Sequence, residues 1–176
     1  GTKAKIDGDV RVFGQGDELV VDGKLEITGR LALEYSSDFS KLTMTKSDSV
    51  LYLGGNLWTT NASQCCNIKD GTIVFNGTSQ QNVAGLNAYN VKVTNPNGIK
   101  YGSDLHLYGN YDLCGNPLDI YNYSTIWHSG ATFTEGSDYK TVRISDGESV
   151  TLENTLKSDL LNYGVLTVEE GKSAKI

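Results

Sequence analysis

Short stretches in which apolar and polar residues alternate recur along the whole chain. Leu25-Glu26-Ile27 and Leu31-Ala32-Leu33 flank Gly29, and Leu42-Thr43-Met44, Leu51-Tyr52-Leu53, Ile73-Val74-Phe75 and Val91-Lys92-Val93 follow. Later ones are Leu105-His106-Leu107, Leu118-Asp119-Ile120, Val142-Arg143-Ile144, Val150-Thr151-Leu152, Leu166-Thr167-Val168 and Ala174-Lys175-Ile176. Each sends two apolar side chains to one face and one, mostly polar, to the other, which is the period of a β-strand. Gly, Asn, Asp and Ser fill the gaps, as they do in tight turns. Ser79–Gly85 reads as a loop or short turn. Helical periodicity is confined to Thr151–Leu161, where Leu152, Leu156 and Leu160 recur every fourth residue. That stretch lacks a strong cap and Val150–Leu152 alternates, so strand is preferred over helix there.

The alternating units echo one another. Ser49–Leu57 (SVLYLGGNL) and Ser103–Tyr111 (SDLHLYGNY) share Ser, Leu-x-Leu and Gly-Asn at an offset of 54 residues. Leu42–Val50 parallels Val91–Ile99 at an offset of 49, and a Gly-x-apolar-x-apolar unit starts at Gly23, Gly29, Gly71 and Gly164. Loose repeats of very short strands predict stacked coils, in which each strand pairs with its counterpart in the next coil. The predicted fold is all-β, a parallel β-helix (β-solenoid), right-handed because parallel crossovers strongly prefer that hand. Roughly 20 residues per coil would give about eight coils and a rod on the order of 40 Å. The alternative is an antiparallel β-sandwich or jelly roll, with Asn76-Gly77 and Asn97-Gly98 as hairpin turns. A single domain spans residues 1–176. The uncapped alternating end, GKSAKI, predicts that this domain is a segment of a longer protein.

Composition narrows the partners. The 176 residues include 20 Gly and only 2 Pro, suited to many tight turns rather than a disordered linker. Acidic residues outnumber basic ones, 21 to 15, and the pI is about 4.8, so the basic face of a nucleic-acid binder is lacking. No apolar run approaches the roughly 18 residues a membrane helix needs, so no membrane insertion is expected. Cys65, Cys66 and Cys114 read as free thiols; adjacent cysteines rarely bridge each other, and either could instead pair with Cys114. Three cysteines without a CxxC and two histidines make a poor zinc site.

The run from Leu25 to Gly98 carries a resemblance. LEITGRLALE, then DFSKLTMTKSDSVLYLGGNLWTTNAS, then DGTIVFNGTSQQNVAGLNAYNVKVTNPNG is similar to repeat segments of large secreted or cell-surface, adhesin-like proteins of Gram-positive bacteria such as clostridia. Ile99–Ile176 is similar in style only. The resemblance implies a parallel β-helix and an extracellular or cell-surface location, and it carries over no catalytic residue.

Candidate chemistry is confined to surface side chains. His106, between two inward leucines, points outward, and strict alternation would align it with Asp104, Tyr108, Asn110 and Asp112 as a sugar-contact stripe. Trp58, Trp127, Tyr121 and Tyr123 fall in turn-rich or outward-leaning positions and could form an aromatic platform for carbohydrate; the competing role is packing at coil corners. Asp7, Asp9 and Asp17 are weak calcium candidates, since neither Asp7-Gly8-Asp9 nor Asp17-Glu18 has the spacing of an EF-hand loop or an RTX nonapeptide. No nucleophile elbow accompanies the histidines. These readings favour a non-enzymatic structural or adhesive module with no cofactor beyond possible calcium. Its partner would be a surface glycan or polysaccharide, or a host or cell-surface protein. A carbohydrate-binding module is the alternative, and a fragment of a polysaccharide lyase a third reading.

Overall fold

The computed structural model describes residues 2–14, 16–34, 41–61, 65–134, 136–153 and 155–169. The first coil contains β1 (Ala4–Ile6), β2 (Val10–Phe13) and β3 (Glu18–Val20), and the second β4 (Lys24–Ile27), β5 (Leu31–Glu34) and β6 (Lys41–Met44). The third contains β7 (Val50–Leu53), β8 (Leu57–Thr59) and β9 (Cys66–Ile68), and the fourth β10 (Thr72–Phe75), β11 (Gln81–Ala84) and β12 (Leu86–Ala88). The fifth contains β13 (Asn90–Val93), β14 (Ile99–Tyr101) and β15 (Leu105–Leu107), and the sixth β16 (Asn110–Asp112), β17 (Leu118–Asp119) and β18 (Thr125–Trp127). The seventh contains β19 (Thr132–Phe133) and β20 (Asp138–Ile144), the eighth β21 (Ser149–Leu152) and β22 (Lys157–Asn162), and β23 (Val165–Val168) opens the next.

Every strand pairs in parallel with its counterpart one coil away. The chain is therefore a β-solenoid of about eight coils, and the antiparallel sandwich is excluded. One face is the ladder β1-β4-β7-β10-β13-β16-β19, continued by β21-β23. The second is β2-β5-β8-β11-β14-β17. The third is split into β3-β6-β9 and β12-β15-β18-β20-β22. Asn76-Gly77 and Asn97-Gly98 are corners between the first and second faces rather than hairpin turns. Ser79–Gly85, expected to be loop, contains β11, and Thr151–Leu161 divides between β21 and β22 with no helix. The expected strand at 174–176, and the GKSAKI end with it, lie outside the described residues.

The inward positions stack into columns. Leu25, Leu51, Ile73, Val91, Tyr111 and Phe133 occupy successive rungs of the first face. Leu31, Leu57, Val83 and Tyr101 do so on the second, and Leu86, Leu105, Thr125 and Val142 on the third. Leu51, Ile73, Leu31, Leu86 and Val142 are fully buried, and each such side chain contributes about 1.5–3 kcal/mol by leaving water. This register corrects part of the repeat reading. Leu51-Tyr52-Leu53 is on the first face and Leu105-His106-Leu107 on the third, so the 54-residue echo joins different faces. The 49-residue echo likewise joins β6 of the third face to β13 of the first. The Gly-led units at Gly23, Gly71 and Gly164 do lead into strands of the first face, whereas Gly29 leads into the second.

Buried amides close the corners. The Gln81 amide donates to Leu53 O (2.9 Å) and Gly55 O (2.5 Å), and its oxygen accepts from Gly77 N (2.8 Å) and Asn95 Nδ2 (3.0 Å). Asn95 also donates to Gly98 O at 3.1 Å, and Asn116 to Val93 O at 2.8 Å. These side chains add a second donor to Leu53 O and Gly98 O, which also accept the backbone N–H groups of Asn76 and Gln81, and they satisfy further corner carbonyls.

Toward the C-terminal half the core becomes aromatic. Trp127 is fully buried, stacked on Phe133 (5.3 Å between centroids) and edge-on to Tyr139 (5.7 Å). This overturns its expected place on a surface platform. As the third residue of Thr125-Ile126-Trp127 it shares the inward side with Thr125, and its rung partners are Leu107 and Ile144. The buried Tyr101 and Tyr111 hydroxyls bond each other at 2.8 Å, and Tyr101 also bonds Thr125 Oγ1 at 3.0 Å, so the polar tips are satisfied inside.

Candidate functional site

Trp58 projects from β8 because Leu57 and Thr59 take the inward positions, and it is 53% exposed. Its neighbours on the same outward row are Ala32 on the rung before and Ala84 on the rung after. Small residues therefore leave the indole standing above the sheet. A shallow cavity lies on each side of the ring. One, of about 430 Å³, is lined by Arg30, Glu34 and Thr60; the other, of about 320 Å³, by Thr60, Ala84, Gly102 and Ser103. An aromatic face beside hydroxyls and small residues can stack on the apolar side of a pyranose while the hydroxyls bond its rim.

A second cluster bridges coils five to eight. Burial and the neighbouring His128 lower the pKa of His106. His106 Nδ1 lies 3.0 Å from His128 Nε2, and His128 Nδ1 lies 2.7 Å from Glu148 Oε1. Tyr108 stacks on His128 with centroids 4.1 Å apart and planes 7° apart. Ser129 donates to Glu148 Oε2 from its backbone N–H (2.7 Å) and its hydroxyl (2.8 Å). The His128 and Ser129 bonds hold the Glu148 carboxyl down to about 2, so it is an acceptor and His128 Nδ1 must be the donor. When His128 is neutral, its Nε2 accepts from His106; when it is protonated, His106 must be neutral to accept. Two imidazolium rings cannot make this contact. The carboxylate is occupied by three donors, and the Ser129 hydroxyl bonds it rather than an imidazole, so nothing here activates a nucleophile.

The other expected site residues are dispersed. The chain turns at Gly109, so His106 is on the third face and Asp112 on the first, where Asp112 pairs with Lys92 (3.4 Å) and accepts from Cys114 N (2.7 Å). The single stripe expected from strict alternation is thus broken by a corner. Tyr121 is 72% exposed just past β17 with Lys100 Nζ 5.9 Å from its ring centre, while Tyr123 is half-buried against the core. Trp58, Tyr108 and Tyr121 consequently form no common platform, and Trp127 is inside. Asp7 accepts from Thr28 Oγ1 (2.9 Å) and Asp9 from Arg30 N (2.7 Å), so both are used in joining coils. Asp17 accepts through its backbone carbonyl from Lys41 N at 3.1 Å. The described residues contain no group of three or more His, Cys, Asp or Glu able to hold a metal ion. All three cysteines are free, Cys65 and Cys66 buried and Cys114 exposed.

Sequence reasoning missed Tyr89 and Glu148. Tyr89 had a signal: Leu86-Asn87-Ala88-Tyr89 matches Leu105-His106-Leu107-Tyr108 in type and in register. Glu148 had none, because its partners arrive from 19 and 20 residues away.

The fold and these surfaces define a parallel β-solenoid repeat protein. No family model, curated protein or solved structure matches the chain.

Proposed function

We propose that the chain is a non-enzymatic structural and adhesive module of a secreted or cell-surface bacterial protein, a stalk that holds a contact surface away from the cell. The observation that carries this reading is the use of outward charges along the axis. Lys3–Glu26 (2.5 Å), Lys92–Asp112 (3.4 Å), Lys100–Asp119 (3.5 Å), Arg30–Asp9 (3.8 Å) and Arg11–Glu34 each join one coil to the next. Three of these pairs tie coil one to coil two and two tie coil five to coil six; each contributes little stability singly, but each favours the parallel register of the strands it bridges. The Gram-positive, adhesin-like setting rests on the resemblance of Leu25–Gly98, and the partner would be a surface polysaccharide or a protein on another cell. The test couples purified chain to beads and measures their retention on cells and on immobilised polysaccharides, alongside incubation with pectic substrates. Retention without product supports the module; release of unsaturated sugars would replace it with a lyase.

A second reading, a carbohydrate-binding module, is favoured by Trp58 and its two flanking cavities. A glycan array with the purified chain and Trp58→Ala tests it. Loss of neutral-glycan binding on removing the indole is expected, and a neutral-glycan signal indifferent to Trp58 would remove the ring from the site.

A further inference from the structure

The split in the third face marks a site separate from Trp58. The ladder β3-β6-β9 stops at Cys66–Ile68 and a new ladder starts at Leu86–Ala88. Coil length reaches its minimum among the rungs from Leu25 to Phe133 just here: Leu25 and Leu51 are 26 residues apart. Equivalent rungs Leu51 and Ile73 are 22 residues apart, whereas Ile73 and Val91 are 18 apart. The shortening falls where β11 and β12 are joined by Gly85 alone, at φ +81°. In place of a regular rung, the Asn87 backbone N–H bonds the Cys66 thiol. A groove of about 420 Å³ opens along this step, lined by Asn67, Lys69, Asn87, Tyr89, Tyr108 and Ser129 among others.

The chemistry of the lining is selective. Lys69 is the one charged residue among the described lining residues, on a chain of net charge −6; the nearest carboxylate behind that lining, Glu148, is bonded by Ser129 and His128. Lys69 is exposed and has no ion-pair partner among the described residues. Tyr89 and Tyr108 follow paired residues Ala88 and Leu107, so they sit at the same corner on successive rungs, 37% and 38% exposed. Stacking on His128 fixes the Tyr108 ring before any ligand arrives, which reduces the ordering cost of binding. Two phenol groups, two amides and one free ammonium match a sugar ring that carries a carboxylate.

We infer that this groove binds an anionic saccharide, with Lys69 pairing the sugar carboxylate and the Asn67, Asn87, Tyr89 and Tyr108 side chains contacting its hydroxyls and ring. The inference rests on the glycan-binding reading and adds a second site and a charge class to it. The test is calorimetric titration of the purified chain with an oligogalacturonate and with its carboxyl-reduced, neutral counterpart. It uses wild type, Lys69→Gln, Tyr89→Phe and Trp58→Ala. The acidic sugar is expected to bind more tightly, and Lys69→Gln to weaken it about tenfold while leaving the neutral sugar unchanged, as loss of one charge-assisted hydrogen bond requires. Lys69 is exposed, so this variant folds, and Trp58→Ala leaves the acidic-sugar affinity unchanged. Equal affinity for the two sugars, or an unaltered Lys69→Gln, overturns the groove assignment. Absence of oligogalacturonate binding beside a Trp58-dependent array signal sinks the groove alone; an array with no signal at all sinks the glycan reading as well.

Discussion

Replacing Gly55 by Ala tests the close stacking of coils at one atom. Gly55 lies at the corner between β7 and β8, over Gly29 of the preceding coil, and its N–H donates to Gly29 O at 2.9 Å. A Cβ added there would stand 2.4 Å from Gly29 C, 2.5 Å from Gly29 O and 2.6 Å from Arg30 N. All three are backbone atoms and cannot swing aside. Ordinary contact begins near 3.4 Å, so the two coils must part locally by about 1 Å. Three bonds between coils meet at this corner: Gly54 N to Ile27 O (2.8 Å), Gly55 N to Gly29 O (2.9 Å) and Leu31 N to Asn56 O (2.9 Å). Stretched by about 1 Å they cease to be hydrogen bonds, and each contributes about 1 kcal/mol net. Residual overpacking adds about 1 kcal/mol, so Gly55→Ala should destabilise by about 3–5 kcal/mol, a large part of the stability of an ordinary domain. Gly23→Ala is the control. A Cβ at Gly23 meets nothing within 4 Å, and the change should be neutral or stabilising by up to about 1 kcal/mol. Urea unfolding followed by circular dichroism compares the two. A Gly55→Ala loss below about 1 kcal/mol would refute the argument, because coils that yield so easily are not held at strand spacing by this corner.

Three further outcomes are expected. Trp127→Ala should cost about 3–5 kcal/mol in the same assay; Trp127→Phe should cost much less, because the indole N–H has no partner among the described residues and its loss breaks no bond. Thermal melts should show stability falling as pH drops. Folding favours neutral His106, so its protonation below its ordinary value of 6.5 opposes folding; the ionised Glu148 adds stability that is complete above 4.5 and lost toward about 2. His106→Gln should remove the upper part of that pH dependence and leave the lower part, and an unchanged profile would show that the imidazole pair does not link the coils. A thiol reagent should label Cys114 in the native protein and Cys66 only after unfolding, since burial pushes the Cys66 thiol to about 12; native labelling at Cys66 would contradict its packing.

Strand existence was legible because alternation is a local signal. Leu51-Tyr52-Leu53 and Ile73-Val74-Phe75 needed no knowledge of their neighbours, and they pair in the register their patterns suggest. What alternation cannot convey is where the chain turns a corner. His106 and Asp112 keep the same parity, yet Gly109 lies between them and redirects the second strand to another face. The echo between Ser49–Leu57 and Ser103–Tyr111 misled for the same reason: Leu-x-Leu satisfies an inward pair on any face. Trp127 was misplaced because Thr125-Ile126-Trp127 is buried throughout, with Ile126 covered on the outward side, so the triplet carries no inside–outside contrast. Polar residues such as Gln81 and Asn95 look like solvated turn in the sequence, and only the stacked geometry shows that they are buried donors, Gln81 to Leu53 O at the end of β7 and Asn95 to Gly98 O of its own corner and Ser79 O of the preceding one.

Both candidate surfaces depend on departures from an even stack. In identical coils each outward row would repeat every 4.8 Å or so, and side chains of equal size would cover one another's faces. Trp58 escapes because the next rung of its row carries Ala84 and the one beyond it Gly102, whose added Cβ would already touch Ala84 at 3.2 Å. A large side chain at position 84 would bury the indole without altering the core, since Leu57 and Val83 face the other way. The groove beside Lys69 depends instead on the break in the third face, where one ladder ends and another starts as Gly85 alone joins β11 to β12 in the 18-residue coil. Inward residues set the column that every coil must match, so a solenoid has little freedom there. Coil length and the size of outward neighbours are free to vary, and in this chain those two quantities decide where a ligand could be held.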